Sequence, residues 1–247
     1  MSELIQFLDE RISEVRDYIE LLRAIEQEAA TGVPRLEQSK APITVSQQRV
    51  LASTVYLQLY SLTEALVSRC LEALGGALET GGWQPTDLAE QLKREWVRHM
   101  ARTHTEMSPE RRLENAMILC EHLMGQLPLG KFAIDVGGGG NWDDEEIYRL
   151  GQRLGCNFRF AAETQAAAKR PIRDSLGALK LVRDRRNRLA HGSLSFRECA
   201  DGVATDELTR TTDALEAYVR EFVSSFIVFI ESHMFVLEDR RPSQEAG

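Results

Sequence analysis

The period of the apolar residues is the strongest constraint on what this chain can fold into. Between residues 3 and 29, Leu4, Phe7, Leu8, Ile12, Val15, Tyr18, Ile19, Leu22 and Ile25 recur every three or four positions, with alternating charges between them. That is the spacing of an amphipathic α-helix with one face against a core. The same period fills a long segment from about Ser46 to Leu78, built around "LASTVYLQLYSLTEALVSRCLEALGGAL", and a last long helix from Thr205 to about Phe235. No alternation of strands and helices suggests a parallel sheet. The chain is predicted to be all-α.

Turn residues punctuate this pattern. Gly32, Pro34 and Pro42 make Ala30 to Val45 a connector, and "TGGWQP" (Thr80 to Pro85) ends the second helix. Thr86 is expected to cap a helix running through Met100. Ser108 followed by Pro109 is an N-cap with proline at the first helical position, opening a helix to about Met124. "KFAIDV" reads as a short extended piece and Gly137 to Gly140 as a turn. A phosphate-binding loop would need a lysine and a Ser or Thr directly after the glycines. The chain has Asn141, Trp142, Asp143 and Asp144 instead, so Asn141 is expected to cap a helix from 142 to 154, with the acids complementing its dipole. Further helix is expected from Glu163, interrupted at Pro171, then continuous from Ile172 to Ala190 and stopped by Gly192. "GSLSFRECADGVA" reads as a loop. The organisation is therefore an N-terminal amphipathic helix (residues 1–31), a helical domain (45–238) and a disordered tail (239–247).

Composition excludes several classes. A content of 43% hydrophobic and 28% charged residues is that of an ordinary soluble domain. The most apolar stretch, Phe222 to Leu237, is broken by Ser224, Ser225, Glu231, Ser232 and His233. No run reaches the roughly 18 uninterrupted apolar residues of a membrane span. The charged N-terminus lacks the basic and apolar regions of a signal peptide, so no membrane partner and a cytoplasmic location are expected. Cys70, Cys120, Cys156 and Cys199 are scattered, which suits packed free thiols better than a zinc site or a disulfide framework. A net charge of -8 argues against a general nucleic-acid coat, though a small basic cleft can sit on an acidic body.

One stretch breaks the acidic trend. "RDRRNRLAHG" (Arg183 to Gly192) holds four arginines, an asparagine and a histidine. Counted from Lys180 to His191, five cations (Lys180, Arg183, Arg185, Arg186, Arg188) face one anion (Asp184), a net charge of +4 with His neutral. A purely structural account is available: basic residues suit the negative end of a helix dipole, and glycine is the usual stop. Asn187 argues for more, because asparagine is a poor interior helix former. Asn187 and His191, at i and i+4, share one side of the helix, while Arg186 and His191 lie about 140° apart round it. Two copies crossing at a symmetric interface would bring both pairs together. The chemistry that uses such groups is RNA backbone cleavage. A histidine exchanges protons with the ribose 2′-hydroxyl and the leaving 5′-oxygen, and an arginine fork stabilises charge on the phosphoryl oxygens. No metal or cofactor is required.

"RNRLAH" fits the R-x4-6-H motif of the HEPN superfamily (higher eukaryotes and prokaryotes nucleotide-binding domains), with its polar residue directly after the arginine. "YSLTEALVSRCLEAL" is similar to the first core helix of these domains. "GGGGNWDDEEIYRLGQRLG" and "LKLVRDRRNRLAHGSLSFRECA" resemble the bacterial MAE-type branch. The resemblance implies a bundle of long antiparallel helices that dimerises, with Arg and His of both copies lining one cleft. It also implies a metal-independent endoribonuclease of toxin-antitoxin or anti-phage systems, accompanied in some cases by a second HEPN protein or an antitoxin. By that match Arg186, Asn187 and His191 are the catalytic set, with Arg185 as the fallback arginine. Arg183, Arg185, Arg188 and Lys180 are expected to bind RNA phosphate. The alternative is a non-catalytic subunit that binds RNA or a partner protein through the same surface.

Other candidates are weaker. His99, His104 and Glu106 have the wrong spacing for ligands on one helical face, and His122 beside Glu121 has no evident partner. Trp83, Trp96 and Trp142 are not spaced for base stacking and are expected to pack. Ser193 and Ser195 lie near His191 without the motif of a serine hydrolase.

Overall fold

The computed structural model describes residues 2–102, 106–130, 133–135 and 141–242. Among these residues the secondary structure is helical and no strand forms. The helices are α1 (Ser2–Thr31), α2 (Val45–Thr80), α3 (Glu90–Ala101), α4 (Pro109–Met124), α5 (Asp144–Leu154), α6 (Ala162–Lys169), α7 (Ala178–Ala190), α8 (Phe196–Cys199) and α9 (Thr205–Glu231). The fold is all-α. The chain divides into two compact units.

The first unit comprises residues 1–66, 141–144 and 160–221. Within it α1 buries Leu4, Leu8, Ile12, Val15, Ile19, Leu22 and Ile25, the predicted face less Phe7 and Tyr18, which are half-buried. Each buried aliphatic side chain contributes about 1.5–3 kcal/mol relative to an exposed one. Polar contacts then set direction. Along α1, Asp9, Arg16, Arg23 and Glu26 meet Arg220, Glu216 with Asp213, Thr209 and Thr205 in turn. Rising numbers on α1 meet falling numbers on α9, so the two helices are antiparallel. The Tyr18 hydroxyl, which donates to the Leu51 carbonyl at 2.9 Å, ties α1 to α2.

The second unit comprises residues 67–140, 145–159 and 222–247. Its core packs Leu74, Leu78, Trp96, Ile147 and Leu154 with Phe222, Phe226, Phe229 and Phe235. Helix α4 starts as expected, the Ser108 hydroxyl accepting from the Arg111 amide, yet it buries none of its residues. Helix α2 is long and apolar enough to cross a membrane by length and composition alone. Half of its most apolar window is buried, with Tyr56, Leu59, Leu66 and Leu74 all in the core.

Several boundaries differ from the sequence expectation. Thr86 lies in a 3-10 turn, Pro85–Asp87, and α3 begins only at Glu90 with Ala89 as its cap. The last helix ends at Glu231, not Phe235. His233 takes a left-handed φ of 51°, and the following chain pairs back, Ala89 donating to Phe235 and Leu237 donating to Asp87. Residues 172–177 form a tight turn, not helix. Asp174 and Ser175 are left-handed there, and a Cβ on Gly177 would come within 2.2 Å of the Ala168 carbonyl. Helix α5 starts at Asp144, and the expected 192–204 loop contains the short helix α8. Glu238–Arg240 forms a 3-10 turn. The glycine run 137–140, Lys131, Phe132 and Val136 of "KFAIDV", His104 and residues 243–247 lie outside the described residues, and Ala133–Asp135 form no strand.

Glu216 offers a check on the docking of α1. Burial alone would push its carboxyl up, but hydrogen bonds and charge from Arg16 and Arg220 outweigh burial and hold it below the usual carboxylate range. A depressed folded value gives stability that is present above the unfolded value and lost as pH falls through the folded one. Glu216→Gln is therefore expected to lower Tm at pH 7, and the gap from wild type should close as the pH is taken below 4 or so. Thermal melts by circular dichroism across pH test this; a gap that persists unchanged into acid contradicts it.

Candidate functional site

Helix α7 carries the motif, and its own packing decides which cations are available. Ala178, Val182, Arg185 and Leu189 repeat at helical spacing as a buried stripe, joined by Leu179 and Leu181. Arg185 belongs to that stripe and is 5% exposed. Its guanidinium binds Asp174, in the turn before α7, and also Asp184 at 3.3 Å. The arginine considered as the fallback for the motif is therefore engaged structurally, its buried guanidinium holding the exposed Asp174 carboxylate of the 172–177 turn.

Arg183 is also committed. It forms a salt bridge with Asp143, whose carboxylate is 0% exposed. An unpaired buried charge is costly, so Asp143 strongly favours keeping Arg183 in place. Arg188 is half-exposed and only 3.7 Å from Asp184, a surface pair of little energetic weight. Lys180 is half-buried in the first turn.

Arg186 and Asn187 are held from a different direction. The Arg186 guanidinium lies over the ring of Tyr60, 4.4 Å from its centroid, a cation–π contact on a side chain that is 1% exposed. Burial raises the Tyr60 hydroxyl above its ordinary value, and the phenol oxygen accepts from the Trp142 amide at 3.4 Å. Arg186 Nη1 donates to Asn187 Oδ1 at 3.0 Å, and Asn187 Nδ2 donates to Asn141 Oδ1 at 2.7 Å. Because arginine can only donate, the amide of Asn187 must present its oxygen to Arg186 and its nitrogen to Asn141. Asn141 is thus no helix cap: its side chain holds the motif asparagine.

His191 follows the last helical residue. Its amide donates to the Asn187 carbonyl at 2.9 Å, and its side chain is exposed. Gly192, with φ of +69°, makes the left-handed stop that a side chain would strain. The chain then folds back, with the Leu194 amide on the Arg188 carbonyl at 3.2 Å. Ser195 and Glu198 cap α8 reciprocally. This explains the "SFREC" block in part: Ser195 and Glu198 form the cap, and Cys199 is buried beneath it. Farther back, Arg173 grips Glu207 through two nitrogens and donates to the Asp201 and Gly202 carbonyls, fixing the end of the turn.

The structure thus gathers Arg186, Asn187 and His191 at one end of α7 and adds three residues that sequence reasoning passed over: Tyr60, Asn141 and Asp143. Asn141 and Asp143 were visible only as helix-start residues, and Tyr60 only as part of a core helix.

The competing candidates have other duties. Among the described residues no three His, Cys, Asp or Glu side chains are grouped so as to hold a metal ion. His122 and Trp96 meet edge to face, as do Trp83 and Phe235. Trp142 is buried. The Ser193 hydroxyl donates to the Arg188 carbonyl. Burial pushes the Cys199 thiol up to about 11 and the Cys156 thiol up to about 12, and Cys70 further, so these three are packed, protonated thiols; Cys120 is exposed.

With this geometry in place, the chain belongs to the MAE_28990-like HEPN family, whose model matches residues 1–235. No curated protein and no solved structure matches it. Family membership points to nucleotide-binding or ribonuclease-like function.

The two committed arginines can be separated by stability. Arg183→Ala removes a counter-charge from the buried Asp143 and is expected to cost about 3 kcal/mol in urea denaturation. Arg188→Ala is expected to cost less than about 1 kcal/mol. Equal, small effects would show that the Arg183–Asp143 pair does not hold the segment 141–144.

Proposed function

We propose that the protein is a metal-independent endoribonuclease. The observation that carries this reading is the set at the C-terminal end of α7: an exposed histidine, and an arginine and asparagine locked by Tyr60 and Asn141. Arg186 uses one of its five N–H donors on Asn187, so others remain to meet phosphoryl oxygens. Its pose is already set by the phenol ring, so little ordering is left to do when a phosphate arrives. His191, five residues further along and exposed, is the group proposed to exchange protons with the RNA.

The chemistry follows. One histidine takes the proton of the ribose 2′-hydroxyl as the 2′-oxygen attacks phosphorus. The P–O5′ bond breaks, and the departing oxygen receives a proton, leaving a 2′,3′-cyclic phosphate and a 5′-hydroxyl. Two proton carriers are needed on opposite sides of the phosphorus, and one chain supplies one. A homodimer paired through the end of α7 provides the second histidine, and a second HEPN protein could take the place of one copy. Lys180 and Arg188 add attraction for the RNA backbone. An activity of this kind suits a toxin or anti-phage effector acting on RNA in the cytoplasm and restrained by an antitoxin.

The test is incubation of purified protein with RNA in EDTA, with end-group analysis of the products. His191→Ala is expected to lower the cleavage rate by about 10²–10⁴-fold, and Arg186→Ala to do so on a comparable scale. Expression of the wild type should slow growth and His191→Ala should relieve it. If wild type binds RNA yet leaves it as intact as His191→Ala does, the protein is a binding subunit and the catalytic reading is wrong.

A further inference from the structure

We propose that Phe196 is a base-stacking platform beside the α7 site, holding a nucleotide that flanks the phosphate bound there. This rests on the RNA reading above and adds a substrate-binding residue.

Phe196 is 38% exposed. Among the described phenylalanines it is the exposed one: Phe7, Phe158 and Phe160 are half-buried, and Phe222, Phe226, Phe229 and Phe235 are buried. Leaving over a third of the ring exposed forgoes part of the burial energy that the buried phenylalanines gain. Its setting is rigid. On one side, the Leu194 amide and the Ser193 hydroxyl both donate to the Arg188 carbonyl, closing the turn onto α7. Ser195 and Glu198 then cap each other at 2.8 and 3.2 Å, with Phe196 as the first residue after the cap. On the other side, Cys199 and Ala200 are buried and Arg173 holds the Asp201 and Gly202 carbonyls. The backbone under the ring is tethered from both ends, so a ligand stacking on it does not have to order a loop.

Its neighbours argue for a nucleic acid. Arg197 is exposed and Arg188 half-exposed, and Ser193 and Ser195 are exposed as well. Both acids of the turn are engaged, Glu198 in the cap and Asp201 with Arg49. No other large apolar side chain between 183 and 202 is exposed. A protein partner would call for a contiguous apolar patch, which one ring among polar and basic residues does not make. An aromatic ring interleaved with cations is the arrangement that binds single strands, where each base offers its π-face. In a duplex those faces are already stacked, so the ring gains nothing there. Phe196 lies five residues beyond His191. Even a fully extended chain would separate their Cα atoms by at most about 18 Å, and the turn shortens that. The ring is thus within the span of nucleotides flanking a phosphate held at His191.

The test uses the full chain in a His191→Ala background, which keeps RNA intact. Binding of a short fluorescein-labelled oligoadenylate is measured at fixed salt, alone and as its duplex with oligouridylate. Phe196→Ala is expected to weaken single-strand binding about tenfold, in the range of one lost base–aromatic stack, and to leave duplex binding unchanged. Phe196→Trp should bind like the parent, and its new exposed indole should be quenched by the single strand. Single-strand binding as tight in Phe196→Ala as in the parent overturns the proposal while leaving the RNA reading standing. So does a change of oligomeric state in Phe196→Ala by light scattering, because the ring would then be a protein contact. If the parent binds neither RNA form, the RNA reading falls and this inference falls with it.

Discussion

A carboxylate with no access to water, Asp143, anchors the site through its salt bridge to Arg183. A buried charge of this kind is tolerated only with its partner in place. The pair therefore locks the short segment Asn141–Asp144 against α7, and the rest of the site follows from that lock. Once the segment is fixed, the Trp142 amide reaches the Tyr60 hydroxyl and Asn141 reaches Asn187. Arg186 then lies on the Tyr60 ring with its fork turned to Asn187. Residues from three separate stretches of chain meet within one compact unit.

A cluster of like charges on one helix thus resolves into different tasks. Arg183 and Arg185 satisfy carboxylates, one on each side of the helix's packing, and they position the loop before α5 and the turn before α7. Arg186 is held by an aromatic face and an amide, neither of which neutralises it. That difference matters for function, because a cation already paired with a carboxylate has little left for a phosphate. The formal charge of the stretch therefore overstates its usable charge, and Arg186 is the cation there held without a carboxylate contact.

The helices themselves were legible because their apolar period is long and regular. The α1 face, the start of α4 at Ser108 and the stop at Gly192 all follow from local rules of spacing and capping. The misread boundaries share one cause. Thr86, the 172–177 turn, the start of α5 and the end of α9 are set by contacts with distant residues. Leu237 donating to Asp87 and Gly177 pressed on the Ala168 carbonyl are invisible to a window of neighbours.

The same division holds at the site. Arg186, Asn187 and His191 were identifiable from the linear motif and its flanks, since their spacing along one helix is a local property. Their supports were not. Asn141 resembles any helix cap until Asn187 is found opposite it, and Tyr60 resembles any core aromatic until Arg186 covers it. Arg185 and Arg186 are adjacent and chemically identical in the chain. A rotation of about 100° between neighbours on a helix buries one against Asp174 and leaves the other half-buried over Tyr60. Residue order chose the helix and its candidate groups; packing chose which of them are tied to carboxylates, because burial and pairing depend on residues far away in sequence.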